Sequence, residues 1–279
     1  MSTGNPGPEV LTAASVTTLG PEHRGQVLVG GSHGGLYAGY LAARAGLAAV
    51  ILNDAGGGMD GAGYASLGYL DGLGMAAATV GHMSACIGDG DDMLDNGVIS
   101  HTNTAAGMLG CRVGQSARMC SDLMRAASPP RREPPPFEEA RFLFSGEDEA
   151  PQVWGVDSAS LVRAEDAGQV VLTASHGALL DGDPATAIKY DVLACAFNDA
   201  GVGCDGVGIT RLPVLDQRSI AAVTVDCMSA RIGDARSHWE TGVVSYVNAT
   251  AQALGIEPGD SLKHFAEVVA REYRSLGGP

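Results

Sequence analysis

The chain has 279 residues, of which 45% are hydrophobic, and a formal net charge of −15. This length predicts one large domain or two ordinary ones with a sizeable core. The acidic balance argues against nucleic acid and anionic membranes as partners, because no basic patch is available to neutralise phosphates.

No apolar run in the sequence reaches the roughly 18 residues of a membrane helix. The first eight residues lack the basic and apolar regions of a signal peptide, so we expect none. The six cysteines are scattered without a C-x-x-C pair. Such thiols are typical of a reducing compartment, so we expect a cytoplasmic protein.

The two halves of the chain repeat one sequence pattern. Residues 53–116 align without a gap with residues 198–261 and share 30 identities in 64 positions, and residues 10–34 align with 153–177. A match of this length predicts two copies of one ancestral unit. We predict a first α/β repeat at residues 1–127, a proline-rich linker at 128–150 and a second α/β repeat at 151–279. A duplicated ancestral dimer would also be consistent with a homo-oligomer.

Each copy alternates short apolar runs with helical patterns in the same order. In the first copy, predicted strands begin at Val10 and Val27, a helix is predicted at Leu36–Ala45, and further strands end at Asn53 and Val80. This alternation predicts a mainly parallel sheet covered by helices on both faces. The predicted fold class is therefore α/β, with two pseudo-symmetric, three-layer, Rossmann-like halves.

Polar residues and glycines follow these apolar runs directly. Ser32-His33-Gly34 ends one run and Asn53-Asp54 ends the next, and the second copy repeats both phrases. In open parallel sheets, ligands bind beyond the carboxyl ends of the strands. The sequence therefore predicts a small-molecule site at this edge in each half.

The candidate catalytic groups are a histidine, an aspartate and a serine in each copy. Histidine suits general acid–base work near neutral pH, a neighbouring aspartate would orient it, and a serine needs such a base to act as a nucleophile. The alternative for the aspartates and serines is a turn or a helix cap. The candidates are His33, Asp54 and Ser84 in the first copy and His176, Asp199 and Ser229 in the second.

A second set of residues is predicted to bind the substrate. Glycines let backbone N–H groups approach an anion, and an arginine suits a carboxylate or phosphate, although a surface ion pair would explain Arg231 equally well. The predicted substrate-binding residues are Ser32, Gly34, Asn53, Gly56, Gly58, Asp60, Ser175, Asn198, Asp205 and Arg231.

Cofactor motifs are weak in this sequence. The chain lacks a G-x-G-x-x-G phrase directly after a strand and a P-loop lysine, so no cofactor or metal is assigned. A divalent metal stays open as an alternative, because His33, Asp54, Asp60, His82 and Asp89 are of ligand type. Against a shared metal site, His82 is replaced by Cys227 in the second copy.

The duplicated, two-domain layout resembles that of the aspartate/glutamate racemases. Those enzymes carry paired cysteines with neighbouring threonines at their strand ends, whereas this chain carries Ser-His and Asn-Asp there. The resemblance therefore implies an architecture and no activity.

These observations favour a small-molecule enzyme, a hydrolase or lyase that acts on a small carboxylate-bearing substrate by His/Asp acid–base chemistry. Two alternatives remain open at this point. One is a non-catalytic module that binds a small anion or nucleotide through its glycines, and the other is a metal-dependent enzyme that uses the same residues as ligands.

Overall fold

The computed structural model describes residues 8–130, 132–147 and 150–276. The chain divides into two compact units. Unit 1 comprises Met1–Ala55 and Gly63–Phe137, and unit 2 comprises Gly56–Ala62 and Glu138–Pro279. Both units are α/β, as the sequence predicts, and each contains a mainly parallel sheet flanked by helices.

Unit 1 contains a five-stranded sheet. Its strands are β1 (Val10–Ala13), β2 (Val27–His33), β3 (Ala49–Asn53), β4 (Ala76–Val80) and β5 (Ile99–Thr102). Its helices are α1 (Leu36–Arg44), α2 (Ser66–Gly72), α3 (Gly90–Asn96), α4 (Thr104–Met108) and α5 (Ala117–Met124). The strands lie in sequence order, and only β5 is antiparallel to its neighbour.

Helices cover both faces of the unit 1 sheet, so its central strands β2, β3 and β4 are buried and mostly apolar rather than alternating. On one face, Leu28 and Leu52 pack with residues of α1 and α2, such as Leu41 and Leu70. On the other face, Val29 and its neighbours pack with residues of α3 and α5. The result is the three-layer arrangement that the sequence predicts.

Unit 2 contains a six-stranded sheet of the same design with one additional strand. Its strands are β6 (Arg141–Ser145), β7 (Val153–Val156), β8 (Val170–His176), β9 (Ala194–Asn198), β10 (Ala221–Val225) and β11 (Val244–Val247). Its helices are α6 (Arg211–Gln217), α7 (Ala235–Thr241), α8 (Ala249–Ala253) and α9 (Leu262–Ser275). The outer strands β6 and β11 are antiparallel to their neighbours.

Strand β6 lies inside the segment 128–150, for which the sequence predicts a linker. Residues 132–140 of that segment have no helix or strand. After them, β6 pairs with β7 and Phe144 packs against the unit 2 core.

The two units differ most in what covers one face of the sheet. Unit 1 places α1 there, and Gly39 of α1 approaches Ser66 so closely that a Cβ would lie 2.6 Å from the Ser66 Cβ. Unit 2 has no α-helix among the described residues between β8 and β9; a loop with a 3-10 turn at Pro184–Thr186 replaces it. Ala187 and Ile188 of this loop join the core on that face.

Arg211, which aligns with Ser66 of unit 1, forms hydrogen bonds with this loop. It is 4% exposed, and its guanidinium donates hydrogen bonds to the carbonyl oxygens of Ala178 (2.9 Å) and Ala187 (2.6 Å). Its Cζ lies 4.8 Å from the ring centroid of Phe197. Burial lowers the pKa of Arg211 to about 10. A buried charge thus stabilises the loop that stands in place of a helix.

No helix among the described residues combines the length and apolar character needed to cross a membrane.

Candidate active site

A carboxylate and an imidazole meet at the carboxyl edge of the unit 1 sheet. Asp54 directly follows β3, and His82 lies two residues after β4. Asp54 Oδ1 accepts hydrogen bonds from His82 N (2.9 Å) and from His82 Nδ1 (3.0 Å). The side chain of Asp54 is 8% exposed and that of His82 is 27% exposed. Because Nδ1 donates to the carboxylate, the neutral imidazole has a proton-free Nε2.

Asp54 is held in its ionised form. Burial acts to raise the pKa of this carboxyl, but hydrogen bonds from the His82 side chain and backbone and from Ser100 outweigh it, so the pKa lies below its usual value. Gly81 leaves room beside this carboxylate, since a Cβ there would still be 3.8 Å from Asp54 Oδ2. An ionised, buried aspartate fixes the tautomer of its histidine and stabilises the imidazolium form.

Polar side chains extend from Asp54 into β5. Ser100 hydrogen bonds to Asp54, and its Oγ lies 3.0 Å from Thr79 Oγ1 and 3.1 Å from His101 Nδ1. The His101 ring stacks on Tyr64 with centroids 4.1 Å apart. Asp54 therefore contacts one imidazole directly and reaches a second one through a hydroxyl.

The equivalent position in unit 2 carries different chemistry. Asp199 Oδ1 accepts hydrogen bonds from the backbone N–H groups of Gly201 and Cys227, both at 3.0 Å. Cys227 stands where unit 1 has His82, and Asp226 stands where unit 1 has Gly81. Burial and then the charge of Asp226 raise the pKa of Asp199. Burial and the carboxylates of Asp199 and Asp226 raise the pKa of the Cys227 thiol to about 12.

This unit 2 group could hold a metal ion. One carboxylate oxygen each from Asp199 and Asp226 and the Sγ of Cys227 lie within 4.8 Å of one another. Of this set, the sequence analysis named Asp199 as a catalytic candidate and Cys227 as the replacement for His82, whereas Asp226 was not a candidate. Without a cation, the raised pKa keeps Cys227 as a neutral thiol, which is a poor ligand.

Each histidine that was predicted to be catalytic ends a strand next to the strand that precedes its aspartate: His33 ends β2 beside β3, and His176 ends β8 beside β9. His33 pairs in register with Asn53, and His176 with Asn198. The His33 Nδ1 accepts a hydrogen bond from Gly35 N at 3.1 Å. Burial of the imidazole lowers the pKa of His33 to about 4. Such an imidazole is neutral at pH 7 and a weaker base than an ordinary histidine. His176 is 6% exposed.

The candidate serines bond to the backbone of their own loops. Ser84 Oγ donates to the Gly81 carbonyl (2.7 Å) and accepts from Val98 N (2.9 Å), and Ser229 Oγ makes the same two contacts with Asp226 and Val243. These bonds occupy the hydroxyl protons, which favours the turn-stabilising role over a nucleophile. Ser32 and Ser175 likewise accept from backbone N–H groups, those of Val16 and Ala159.

Asn53 and Asn198 are fully buried. Their Oδ1 atoms accept from Ala55 N and Ala200 N, both at 2.9 Å. Asn53 Nδ2 donates to the Ala85 carbonyl, and Asn198 Nδ2 lies 3.1 Å from His238 Nε2. These bonds form Asx turns that direct the chain out of the sheet, and they favour a structural role over contact with substrate.

Three of the predicted substrate-binding residues are glycines in closely packed backbone. Gly34 belongs to unit 1, where a Cβ would lie 2.6 Å from the Gly63 carbonyl oxygen. Gly56 and Gly58 belong to unit 2, and both have positive φ angles. A Cβ on Gly56 would lie 2.8 Å from Gly201 Cα, and one on Gly58 would lie 3.2 Å from the Cys227 carbonyl oxygen. Close backbone packing explains all three.

Asp60 and Arg231, both in unit 2, pair with each other. Arg231 Nη2 and Nε lie 2.6 and 2.9 Å from Asp60 Oδ2, and the side chains are 45% and 60% exposed for Arg231 and Asp60. The alternative of a surface ion pair is therefore the observed state of Arg231. Asp60 and its counterpart Asp205 have left-handed backbones, with φ of 55° and 53°, and Asp205 is exposed.

The candidate acid–base pair of unit 1 is thus only half predicted. Asp54 was a candidate, but its imidazole partner is His82, which the sequence presented only as a metal ligand. Ser100 and His101 were not candidates. The available signal was divergence, because His82 and His101 occur in one copy alone while the aspartate occurs in both.

No protein-family model matches the chain, and comparison with curated proteins and with solved structures found no match. Since a fold alone does not assign chemistry, the residues at the strand ends carry the functional conclusion.

Proposed function

We propose that this protein is a small-molecule enzyme, a hydrolase or lyase that acts on a small carboxylate-bearing substrate in the cytoplasm. The observation that carries the proposal is the Asp54–His82 pair, a buried ionised carboxylate bonded to a partly exposed imidazole. The anionic substrate class rests on the sequence alone, because the N–H of Gly34 donates to the Asn53 carbonyl and that of Gly35 to His33 Nδ1.

His82 would act as the general acid–base. Its Nε2 has no hydrogen-bond partner among the described residues, and the side chain is partly exposed. In hydrolysis, Nε2 takes a proton from the attacking water and returns it to the leaving group. In elimination, it takes the proton from the carbon next to the carboxylate, the C–H electron pair forms the C=C bond, and the leaving group departs from the adjacent carbon with its electron pair and receives the proton from the imidazolium. Asp54 stabilises the imidazolium in either reaction.

The first experiment is a turnover screen of the purified full chain. The panel contains small carboxylate-bearing esters, amides and hydroxy acids, and any hit is assayed with H82A, D54N and H33A. We expect H82A to lose about 10²- to 10⁴-fold in kcat and D54N to lose a comparable factor. H33A separates the alternatives, because a larger loss there than in H82A would return the role of base to His33.

C227A is the matched control. It truncates the counterpart of His82, and its kcat should stay within about twofold of the wild-type value. An equal loss in C227A and H82A would contradict the assignment of the chemistry to unit 1. A chain that turns over no member of the panel, in repeated preparations, would remove the support for a hydrolase or lyase of this substrate class.

A metal-dependent activity is the second candidate. The observation that favours it is the Asp199, Asp226 and Cys227 group in unit 2. Metal analysis of the purified chain, with C227A and D226N alongside, tests it. Stoichiometric zinc or manganese that is lost in both variants would support this candidate, and absence of bound metal after dialysis against either ion would remove it.

A further inference from the structure

We propose that unit 1 has a second ligand site, for a small phosphate monoester with a short apolar body, whose two arginines lie at the opposite edge of the sheet from Asp54 and His82. The site is a cavity of about 320 Å³ that Arg24 and Arg44 line together. This volume is at the small end of the ~300–1,000 Å³ range of ligand pockets. Arg24 precedes β2 and Arg44 ends α1 before β3, whereas Asp54 and His82 follow their strands.

The arginine side chains of this cavity have neither an acidic partner nor a hydrogen bond. The chain has 32 acidic and 17 basic residues, yet the side chains of Arg24, Arg44 and Arg132 make no hydrogen bond or ion pair with any residue that the structure describes. Elsewhere in unit 1, Arg118 pairs with Asp95 and Arg112 donates to backbone carbonyls. Unpaired guanidinium groups in an acidic protein therefore converge on one place.

The lining also favours a particular ligand. Among the described residues that line the 320 Å³ cavity none carries a carboxylate, the Glu22 carboxylate lies against Gly20 of its wall, and Val16, Leu19 and Leu41 supply an apolar wall. Two guanidinium groups match the −1.5 to −2 charge that a phosphate monoester carries near pH 7 better than they match a single carboxylate. An adjoining cavity of about 420 Å³ adds Arg132 beside Arg24 and Arg44, together with Glu133, the one acidic residue in its lining.

Each arginine packs against a neighbouring group: Arg24 against the Gly46 backbone and Arg44 against the Tyr40 ring. Gly46 has a φ of +71°, and a Cβ there would lie 3.0 Å from Arg24 Nη1 and 3.2 Å from Arg24 Cγ. The Arg24 side chain therefore lies flat against the Gly46 backbone. Arg44 Cζ lies 5.5 Å from the ring centroid of Tyr40. Unit 2 has Ala167 at the position of Arg24 and lacks a counterpart of α1 among its described residues, so the site belongs to unit 1 alone.

An ordinary role for Arg44 is to complement the carbonyl end of α1, and this role predicts no ligand. Calorimetric titration of the full chain with n-butyl phosphate distinguishes the two roles, with inorganic phosphate, pentanoate and butan-1-ol as reference probes. We expect saturable binding of butyl phosphate, weaker binding of phosphate and of pentanoate, and none of butanol.

The variants R24A/R44A and R118A/R125A remove the same charge from two places in unit 1. R24A/R44A should weaken butyl phosphate binding by at least about tenfold per arginine, and R118A/R125A should leave it unchanged. R24K/R44K preserves the charge and the fold while removing the planar fork, and should weaken binding to an intermediate degree. Thermal unfolding confirms that each variant is folded.

Absence of saturable binding by the wild type would overturn the proposal, as would equal weakening in R24A/R44A and R118A/R125A, since the latter describes general charge attraction. Tighter binding of pentanoate than of butyl phosphate would overturn the ligand class.

Discussion

Asp54 and Asp199 follow equivalent strands in the two units, and their surroundings have diverged. Asp54 faces Gly81 and the His82 imidazole, and hydrogen bonds lower its pKa. Asp199 faces Asp226 and the Cys227 thiol, and burial with a second negative charge raises its pKa. Two adjacent substitutions therefore turn an acid–base pair into a group of anionic ligand type, on the same backbone. After duplication the backbone framework was retained, while the side chains around the aspartate diverged.

The strongest test of this comparison imports the unit 2 residues into unit 1. In G81D/H82C, a second carboxylate faces Asp54 and the imidazole is gone, so we expect kcat to fall by about 10³-fold or more on any substrate found in the screen. The Cβ of residue 81 has ordinary van der Waals space, so the variant should fold.

The reciprocal variant D226G/C227H is the control for that exchange. It should leave the unit 1 turnover unchanged, because it alters unit 2 alone. Turnover that survives in G81D/H82C, or that falls equally in D226G/C227H, would break the comparison.

The second test concerns the loop that replaces a helix on one face of the unit 2 sheet. R211A removes the charged hydrogen bonds to Ala178 and Ala187, so we expect unit 2 to lose about 3 kcal/mol of unfolding free energy. Both tryptophans, Trp154 and Trp239, lie in unit 2, so their fluorescence in urea reports that unit.

The aligned change S66A is the control in unit 1. Ser66 Oγ is buried without a hydrogen-bond partner, so its removal should leave unit 1 equally stable or slightly more stable, as measured by hydrogen exchange in β3. A larger loss in S66A than in R211A would contradict the role given to Arg211.

The third test is pH dependence. His238 is 1% exposed, and burial lowers its pKa to about 4. The unfolded chain therefore binds the proton first, near pH 6.5, and the stability present above that pH is lost as pH falls toward 4. This group alone should remove about 2 kcal/mol between pH 8 and pH 5. H238M, which copies Met93 of unit 1, should flatten the slope of tryptophan-detected stability; an unchanged slope would refute the assignment.

The smallest expected effect is that of D199N. At pH 7 the ionised Asp199 is penalised by burial, and an asparagine keeps its Oδ1 acceptor. D199N should therefore raise the stability of unit 2 by less than about 1 kcal/mol, and the gain should vanish as pH falls below the pKa of an unfolded aspartate. D54N should instead lower the stability of unit 1. Urea unfolding followed by tryptophan fluorescence for D199N and hydrogen exchange for D54N measures both, and changes of the same sign would contradict the pKa directions.

The architecture was predictable because it depends on local patterns. Runs such as Val27–Val29 and Ala76–Ala78 are apolar at every position, which marks strands buried on both faces. The ungapped repeat then carried the same interpretation to unit 2. Strand β6 was not predicted, because its residues follow a proline-rich stretch and have no copy in unit 1.

The site was predictable only to the level of strand ends. Chain order placed Asp54 after β3, but it could not say whether the nearest imidazole came from β2 or from the turn after β4. His33 ends β2 and accepts a hydrogen bond from Gly35 of its own loop, while the turn at Gly81 brings His82 back onto Asp54. Which imidazole reaches Asp54 depends on the conformation of a two-residue turn, and hydrophobic periodicity does not predict that conformation. Retention in both copies does not by itself separate function from packing, because a buried residue such as Asn53 is also retained when its role is structural.

Unit 2 incorporates Gly56–Ala62, a piece of chain from early in the sequence. Within that unit, Asp60 pairs with Arg231, 171 positions later. A ribosome adds residues at about 5–20 per second, so this segment leaves the tunnel roughly 10 to 30 seconds before its partner exists. Unit 2 is therefore completed only after Arg231 has been synthesised, and until then Asp60 lacks this partner. The timing of translation is thus a constraint on this fold that neither half would face as an independent domain.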